Sequence, residues 1–423
     1  MNHLILNWLE LLIDRKIKFY KIFLVNLGDN MEIKNSGRGH GYTQDDISVV
    51  INAMETSDPY TQGRYQDIFE NKFSEYLGED VESFAVSSGT AALELAAILS
   101  GLGKGDEVII PAHTFAATAI PFARTGADIV WADIDPNTFV VSSDSIKNLI
   151  TPKTKVIVVV HLYGLMADME GIMNVANDNN ILVVEDSAQA LGAEINGKKS
   201  GTFGHFSCFS FHSHKHLSTL GEGGMFVLKD KALAKKINGL KHNGLRQFEG
   251  NRDQYWKPAI SNVDFDIDGF WPYNFCIGEI QCAVGISVLS RMDALLQKRI
   301  DRAHQVIKGL KEHREISFQR TPEGFKNVYY TLPAYINSDS DSELNNDLLI
   351  SSLFEQFNIK AIVQYCPLYR YPMFIKAGLS NNSCHHTDNF FDNMIALPNH
   401  GELTEIEVGY MINSLDSVIK RLK

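Results

Sequence analysis

The sequence has few cysteines, no long apolar segment and no excess of basic residues. Its five cysteines are scattered along 423 residues, and no spacing between them indicates a disulfide framework, which favours a reducing compartment. No apolar run approaches the ~18 residues that a membrane-spanning helix needs. The formal net charge of −12 differs from the basic footprint of nucleic-acid-binding proteins. We therefore expect a cytoplasmic protein that binds neither a membrane nor a nucleic acid.

The motif Cys384-His385-His386 contains side-chain types that bind transition metals. A structural zinc site needs about four such ligands, and no second ligand pair follows at a typical spacing. The motif is more typical of an ordinary surface loop, and we expect no metal site.

Residues 1–30 precede Met31, and two hypotheses about them stay open. They are apolar almost throughout without a clear helical stripe, and the pair Gly28-Asp29 can be encoded by a sequence that resembles a bacterial ribosome-binding site. The segment is either a translated leader before the true start at Met31 or an amphipathic extension that packs on the protein or a partner. Mass-spectrometric mapping of the native N-terminus distinguishes the two.

Short apolar runs recur along the chain with helical segments between them. Runs of this kind are typical of strands that are buried on both faces of a parallel sheet. The repeated order of strand, helix and strand predicts an α/β fold. The runs are Phe84–Val86, Val108–Ile110, Ile129–Ile134, Val156–Val160, Ile181–Val184, Phe206–Phe211 and Met225–Leu228.

The length predicts two domains, because single domains rarely exceed roughly 250–300 residues. We place a large domain at residues 31–290 and a small α+β domain at residues 291–423. The predicted helices are two within Asp45–Gly78, then Ala91–Ser100, Ala116–Arg124, Met169–Asn177, one long stretch Gln281–Lys311 and a closing helix Thr404–Arg421. In the small domain, strands are predicted near Asn327–Tyr335 and Ile359–Val363.

Three motifs could carry chemistry. Ser87-Ser88-Gly89-Thr90 joins a strand to a helix, and the free amides of a helix N-terminus favour a phosphate. Asp186 ends a buried strand at the sheet edge where α/β proteins bind ligands, and a pyridinium nitrogen would suit its carboxylate. Lys215 lies in a polar turn after a strand, a setting that suits an imine-forming lysine. Each motif alone also fits a simpler structure: an ordinary turn, a hydrated strand end or a surface hairpin.

Together these motifs have the order and spacing of a pyridoxal phosphate site. From Met31 to Lys423 the sequence resembles the DegT/StrS family of fold-type I pyridoxal phosphate-dependent sugar aminotransferases. The other segments that agree are Tyr60–Gly63, Ser88–Leu93, Pro111–Phe115, His161–Gly164, Glu185–Ala190, Pro367-Leu368 and Leu397-Pro398. The resemblance implies a large domain with a mainly parallel sheet flanked by helices and a smaller C-terminal α+β domain.

The resemblance also implies a role for each matching residue. Lys215 matches the lysine that binds pyridoxal 5'-phosphate covalently, and Asp186 matches the acid that pairs with the pyridinium nitrogen. The other matching residues hold the rest of the cofactor: the phosphate by Gly89, Thr90 and Ser210, the ring face by Phe115 and the ring hydroxyl by Gln189. One branch of the family has His at the lysine position and acts as a dehydratase. Since His214 and His216 flank Lys215, an alignment shifted by one residue would place a histidine at that position. The spacing from Ser210 favours Lys215.

Asn274 matches an asparagine that reaches the phosphate from the partner subunit. The resemblance therefore implies a homodimer with composite active sites. The simpler alternative is that Asn274 only caps the helix that begins near Gly278.

The resemblance implies transfer of an amino group, with glutamate as donor, to a keto- or aldehyde-bearing sugar. The expected acceptor is a nucleotide-linked sugar for lipopolysaccharide or related amino-sugar synthesis. Departures from the family pattern leave the acceptor open: Cys276 replaces an arginine, Tyr369 replaces a histidine, and the stretch between Gly244 and Asn274 is longer. A non-nucleotide sugar acid such as an octulosonate is the alternative, and a non-catalytic regulatory protein is the alternative from another class.

Overall fold

The seven apolar runs form one sheet in the computed structural model, which describes residues 31–35, 40–78, 80–245, 266–337 and 342–423. The hypotheses about residues 1–30 lie outside the described residues, and so does most of the stretch between Gly244 and Asn274. Strands of the large domain are β1 (Glu82–Val86), β2 (Glu107–Pro111), β3 (Asp128–Ala132), β4 (Thr154–Val160), β5 (Leu182–Asp186), β6 (Glu194–Ile195), β7 (Lys198–Lys199), β8 (Phe206–Ser210) and β9 (Gly224–Leu228).

The strand order across the sheet is β1-β9-β8-β5-β4-β2-β3. Strand β9 is antiparallel to both of its neighbours, whereas all other neighbours are parallel. Both faces of the sheet are covered. Ile109 and Ile157 belong to one buried cluster, and Val108 and Val156 belong to another. Since successive side chains of a strand point to opposite faces, this alternation explains why the strands read as continuous apolar runs.

Helices flank this sheet and continue into the small domain. The helices are α1 (Gln44–Thr56), α2 (Arg64–Leu77), α3 (Gly89–Leu99), α4 (Ile120–Arg124), α5 (Ser143–Lys147), α6 (Met169–Asn179), α7 (Lys231–Leu240), α8 (Glu279–Leu289), α9 (Met292–Gly309), α10 (Asn346–Phe357), α11 (Pro372–Lys376), α12 (His385–Asn393) and α13 (Glu405–Leu422). Single 3₁₀ turns occur at Ala116–Thr118, Leu162–Gly164 and Leu368–Arg370. None of the helices within the described ranges is long and apolar enough to span a membrane.

The small domain contains an antiparallel sheet. Its strands β10 (Ile316–Phe318), β12 (Leu332–Ile336) and β13 (Met394–Leu397) lie in the order β10-β12-β13, while β11 (Phe325–Lys326) pairs with β6 of the large domain. Apolar side chains of this sheet and of α9, α10 and α13 form a third buried cluster. The closing helix α13 agrees with the prediction, and Thr404 caps it with a hydrogen bond from Glu407 N.

Two predicted elements are wrong, and a third begins later than predicted. The stretch Gln281–Lys311 is two helices, α8 and α9, because the backbone at Arg291 leaves helical geometry at φ −120° and ψ 17°. Residues 359–363 form no strand: Ile359 makes an isolated bridge to one segment and Ile362 to another, so no ladder develops. The strand predicted near Asn327 begins only at Leu332, after a positive φ of 47° at Tyr329.

The motif Cys384-His385-His386 is not a surface loop. Cys384 is buried and directly precedes α12, so its main chain belongs to the start of that helix. Among the described residues, no group of three or more His, Cys, Asp or Glu side chains could hold a metal ion.

Candidate active site

The turns that carry the predicted site residues leave the same edge of the large sheet. Strands β1, β2, β4, β5 and β8 all run in one direction, so their carboxyl ends lie together. Open α/β sheets bind ligands at this edge. Asp186 and Ser210 are the last residues of the adjacent strands β5 and β8.

The carboxylate of Asp186 is buried, with only 6% of the residue exposed. Its Oδ2 accepts a hydrogen bond from Thr118 Oγ1 at 2.8 Å, and its Oδ1 accepts one from Ala188 N at 3.1 Å. Burial raises the pKa of Asp186, whereas these hydrogen bonds and the charge of Lys215 act in the opposite direction. A cation bound against this carboxylate would therefore keep it ionised.

A second group of donors lies at the N-terminus of α3. Ser88 caps the helix: its Oγ accepts from Ala91 N at 3.1 Å and its carbonyl from Ala92 N at 3.2 Å. The amides of Gly89 and Thr90 are then the donors that this terminus offers to an anion. A Cβ on Gly89 would come within 2.7 Å of Ser210 Cβ, so only glycine permits this approach of helix and strand.

Lys215 is half-buried in the turn after β8, not solvated at a hairpin tip. Its N–H donates to the His212 carbonyl at 2.8 Å, and its Nζ lies 4.6 Å from the centre of the Tyr330 ring. His214 is exposed, whereas His216 is buried with its ring edge-on to Tyr330 at 5.8 Å. Burial lowers the pKa of His216 well below its ordinary value, so this histidine is neutral at pH 7.

Gln189 and Phe115 lie beside a tyrosine that the sequence analysis did not identify. Gln189 Oε1 accepts from Tyr163 N at 2.8 Å, so its Nε2 donates to Tyr365 Oη at 3.0 Å. The Phe115 ring is 60% exposed and lies 6.1 Å from the Tyr365 ring. An exposed aromatic face in this position suits a planar aromatic ligand.

A buried hydrogen-bonded pair, His161 and Glu185, supports the strand that carries Asp186. His161 Nε2 donates to Glu185 Oε2 at 2.8 Å, and both side chains are fully buried. Glu185 also accepts from Gly201 N at 2.9 Å and from Gly204 N at 2.6 Å. Although burial raises its pKa, these hydrogen bonds outweigh that effect and hold the pKa of Glu185 below its ordinary value.

Asn274 lies apart from these groups with an exposed side chain. Its only hydrogen bond from a described residue is the one that Cys276 N donates to its Oδ1 at 3.4 Å. Main-chain bonds fix its neighbourhood: the Phe275 carbonyl accepts from Ser87 N at 2.8 Å. Gly278 is the N-cap of α8 and no side chain caps that helix, so the helix-cap alternative for Asn274 is wrong.

Tyr369, one of the departures from the family pattern, lies away from the site residues. Its hydroxyl donates to Asp388 Oδ1 at 2.6 Å, and its ring packs edge-on against Trp131 at 6.4 Å. Tyr369 is buried in the apolar cluster on the α3 side of the sheet. The presence of tyrosine instead of histidine at this position therefore gives no information about the acceptor.

Thr118, Tyr330 and Tyr365 are the residues that sequence analysis missed. Each reaches the site through contacts with residues far away in the chain, and no local motif marks Tyr330 or Tyr365. Thr118 alone carried a signal, because it follows the predicted Pro111–Phe115 segment by three residues.

The donor set fits pyridoxal phosphate. Two amides and a serine suit a phosphate, a buried carboxylate suits a pyridinium nitrogen, and an exposed aromatic face suits the ring. A half-buried lysine beside them suits a covalent link. Together with the α/β fold, this arrangement is typical of a pyridoxal phosphate-dependent enzyme.

Comparisons with known proteins agree with this class. The sequence profile of the DegT/DnrJ/EryC1/StrS aminotransferase family matches residues 42–416. The GDP-perosamine synthase of Caulobacter vibrioides is 31% identical over 387 residues, which cover 88% of this chain and 94% of that protein. The UDP-N-acetyl-3-dehydro-alpha-D-glucosamine 3-aminotransferase of Acidithiobacillus ferrooxidans is 32% identical over 322 residues, 76% of this chain and 80% of that protein.

A solved structure is similar over almost the whole chain. Spr1654 of Streptococcus pneumoniae, described as a sugar aminotransferase and solved in its PLP form, superposes with a TM-score of 0.81. The two sequences are 27% identical, and the match covers 93% of this chain and 100% of that one. This chain therefore belongs to the DegT/DnrJ/EryC1/StrS aminotransferase family. It is a pyridoxal phosphate-dependent sugar aminotransferase, which confirms the predicted fold, cofactor and enzyme class.

Proposed function

We propose that this enzyme transfers an amino group from glutamate to a keto- or aldehyde-bearing sugar that is linked to a nucleotide. The proposal rests on one observation: Lys215, the buried carboxylate of Asp186 and the N-terminus of α3 lie at the same edge of the sheet. The nucleotide-sugar acceptor is supported by the names of the Caulobacter and Acidithiobacillus relatives. Lipopolysaccharide or a related cell-surface polysaccharide is the proposed destination of the amino sugar.

Pyridoxal phosphate supplies an electron sink when it is bound. Gly89 and Thr90 would hold its phosphate with their amides, and Ser210 would add its hydroxyl. Asp186 would pair with the ring nitrogen and keep it protonated, because burial makes an unpaired carboxylate unfavourable there. Phe115 would cover one face of the ring with its exposed side chain, and Gln189 would hold the ring hydroxyl.

Lys215 acts twice in this proposal. Its amine would hold the cofactor covalently as long as no amino donor is bound. When it is free, the Lys215 amine would take a proton from the donor Cα as a general base and give it up again as a general acid. Its place against the Tyr330 ring, 4.6 Å away, keeps it within the site after its release.

The test is Lys215→Ala. We expect the variant to lose transamination and the visible absorbance band of the lysine-bound cofactor while its thermal transition stays close to that of the wild type. Lys153→Ala, at an exposed position, serves as the control and should keep both. Turnover of glutamate by Lys215→Ala at the wild-type rate would contradict the assignment.

The acceptor can be identified separately from the donor. The wild-type enzyme is first treated with glutamate, which bleaches the visible band, and then offered nucleotide-linked keto-sugars or a free sugar acid such as an oxidised octulosonate. Return of the band identifies the acceptor class. Return with the sugar acid alone would replace the nucleotide-sugar proposal by the alternative from the sequence.

We also propose a homodimer with composite active sites, in which Asn274 reaches the partner's phosphate site. The exposed Asn274 side chain supports this, and so does an apolar stripe on α1 formed by Ile47, Ile51 and Met54. Trp271, near Asn274, is 88% exposed. Contiguous exposed apolar residues are typical of protein interfaces.

We propose the division into domains 31–290 and 291–423, which the separate buried cluster of the small domain supports. A cytoplasmic location is likewise proposed. All five cysteines are free thiols, as is usual in a reducing compartment.

A further inference from the structure

A small polar cavity lies between the lysine turn of the large domain and the small domain, where α9 forms one of its walls. Its volume is about 120 Å³, and its lining includes His214, Arg299, Tyr330, Ile362 and His400. Tyr330 and His214 connect it to Lys215, since Lys215 Nζ lies over the Tyr330 ring and His214 directly precedes Lys215. A group bound in the cavity would therefore be next to the reacting amine.

The cavity carries positive charge. Arg299 is only 2% exposed, and its Nη1 donates to the Asn399 carbonyl at 2.7 Å and to the Tyr330 carbonyl at 3.2 Å. Burial lowers the pKa of Arg299 to about 10, so the guanidinium still carries its charge at pH 7. Burial and the charge of Arg299 lower the pKa of His400 to about 4, so His400 is neutral there. No Asp or Glu is among the described residues that line the cavity.

The size of the cavity restricts what it binds. Sites for drug-sized ligands measure roughly 300–1,000 Å³, so a nucleotide does not fit here. A carboxylate group fits, and guanidinium groups bind carboxylates well. Such a ligand would complement the charge that the buried Arg299 brings next to Lys215.

From this geometry we infer that the cavity of Arg299, Tyr330, Ile362 and His400 is the subsite for the carboxylate of a reactant. The inference rests on the proposed transamination. Two reactants could supply the carboxylate: the amino donor, which carries one at the carbon that Lys215 deprotonates, or a sugar acid as acceptor. Both would occupy the space in turn, since the donor product leaves before the acceptor enters.

The test measures the KM of each reactant and the dissociation constant of glutarate, an unreactive dicarboxylate, with the holoenzyme. Arg299→Gln should raise the glutamate KM and the glutarate dissociation constant about 10- to 100-fold, because a charged hydrogen bond is lost. Arg302→Gln is the matched control. Arg302 lies one turn away on α9 and also donates to main-chain carbonyls, those of His400 and Gly401, but does not line the cavity.

A second variant covers the case that Arg299→Gln does not fold. Ile362→Phe adds bulk to the cavity while it leaves Arg299 in place, and it should raise the same two constants. A rise in glutamate KM assigns the subsite to the donor, and a rise only for an acidic acceptor assigns it to the sugar acid. Unchanged constants in a folded variant, or an equal rise in Arg302→Gln, would overturn the inference. Failure of the wild type to react with any amino donor would instead overturn the proposed function.

Discussion

Asp186 illustrates how one buried group can carry the function of the site. Its carboxylate is held by Thr118 and Ala188 and lies in a setting that disfavours its charge unless a cation is near. In Asp186→Asn the ring nitrogen loses its ionic partner, and we expect kcat/KM to fall by ~10²-fold or more. Steady-state kinetics with saturating cofactor measure the effect.

Asp128→Asn provides the comparison for this prediction. Asp128 is exposed at the amino end of β3, the opposite edge of the sheet, and its amide variant should keep the wild-type rate. A near-wild-type rate in Asp186→Asn would reduce Asp186 to a strand-end carboxylate.

A substitution of Gly89 tests the proposed phosphate site at the N-terminus of α3 without a change in any charged group. A Cβ at this position would clash with Ser210 at 2.7 Å, so Gly89→Ala must push α3 away from β8. We expect the cofactor dissociation constant to rise at least about tenfold, since the amides move off the phosphate. Titration of the apoenzyme with pyridoxal phosphate, followed by absorbance, gives this constant.

Gly103→Ala is the control for the same substitution, because a Cβ there meets no atom within 4 Å. Equal cofactor affinity in both variants would mean that the α3 terminus does not hold the phosphate.

At the scale of elements, Asp46 ties α1 to the junction of α8 and α9. Its Oδ1 accepts from Arg291 Nη1 at 2.8 Å and from Ser287 Oγ at 2.7 Å, and its Oδ2 accepts from Thr43 N at 2.7 Å. Burial opposes its charge, but these partners outweigh burial and lower the pKa of Asp46 to about 2. We expect Asp46→Asn to lower the free energy of unfolding by about 2 kcal/mol at pH 7.

The ion pair of Asp46 and Arg291 makes the free energy of unfolding depend on pH in a defined direction. Because the pKa of Asp46 is lower in the folded state, its contribution is complete above about pH 4 and is lost as the pH falls towards 2. The stability difference between wild type and Asp46→Asn, measured by urea denaturation, should therefore shrink from pH 6 to pH 3. Asp45→Asn, at the exposed neighbouring position, should show no such trend. A constant difference at all pH values would contradict the ion-pair explanation.

Local sequence patterns predicted those helices and strands whose formation depends on residues close together in the chain. The seven strands were predictable because burial on both faces requires apolar side chains at every position. The end of the predicted helical segment at Gly78 was predictable as well, since glycine readily adopts the φ of 78° found at the end of α2. The break between α8 and α9 was not predictable, since Arg291 pairs with a residue on α1. For the same reason the order of motifs indicated Asp186 and Lys215, but not Tyr365, whose contact to Gln189 depends on how the two domains pack.

At the scale of the whole molecule, the composite site predicts complementation between two inactive variants. Lys215→Ala and Asn274→Asp are mixed and allowed to exchange subunits. In a hybrid dimer one site keeps both wild-type residues, so activity should recover to about a quarter of the wild-type level in a random mixture. Size-exclusion chromatography with light scattering establishes the dimer, and activity assays follow the exchange.

The outcome separates two arrangements. Lack of recovery, with exchange demonstrated by differently tagged subunits and with inactive parents, would place both residues in the site of one chain or make Asn274 purely structural. Recovery requires that the exposed Asn274 side chain acts across the interface.

The position of β9 between β1 and β8 determines when the site can form during synthesis. Strand β1 begins the sheet in the chain, yet it joins the rest only through β9, the last strand of that sheet to leave the ribosome. The turn after β1 that contains Gly89 and the residue Ser210 at the end of β8 are therefore brought together late. Their contacts join residues that are far apart in the chain, and such contacts form slowly during folding. A nascent chain released before Gly224 would expose an unpaired β1 edge. Such an edge invites aggregation, so this segment is where chaperone assistance during translation would matter most.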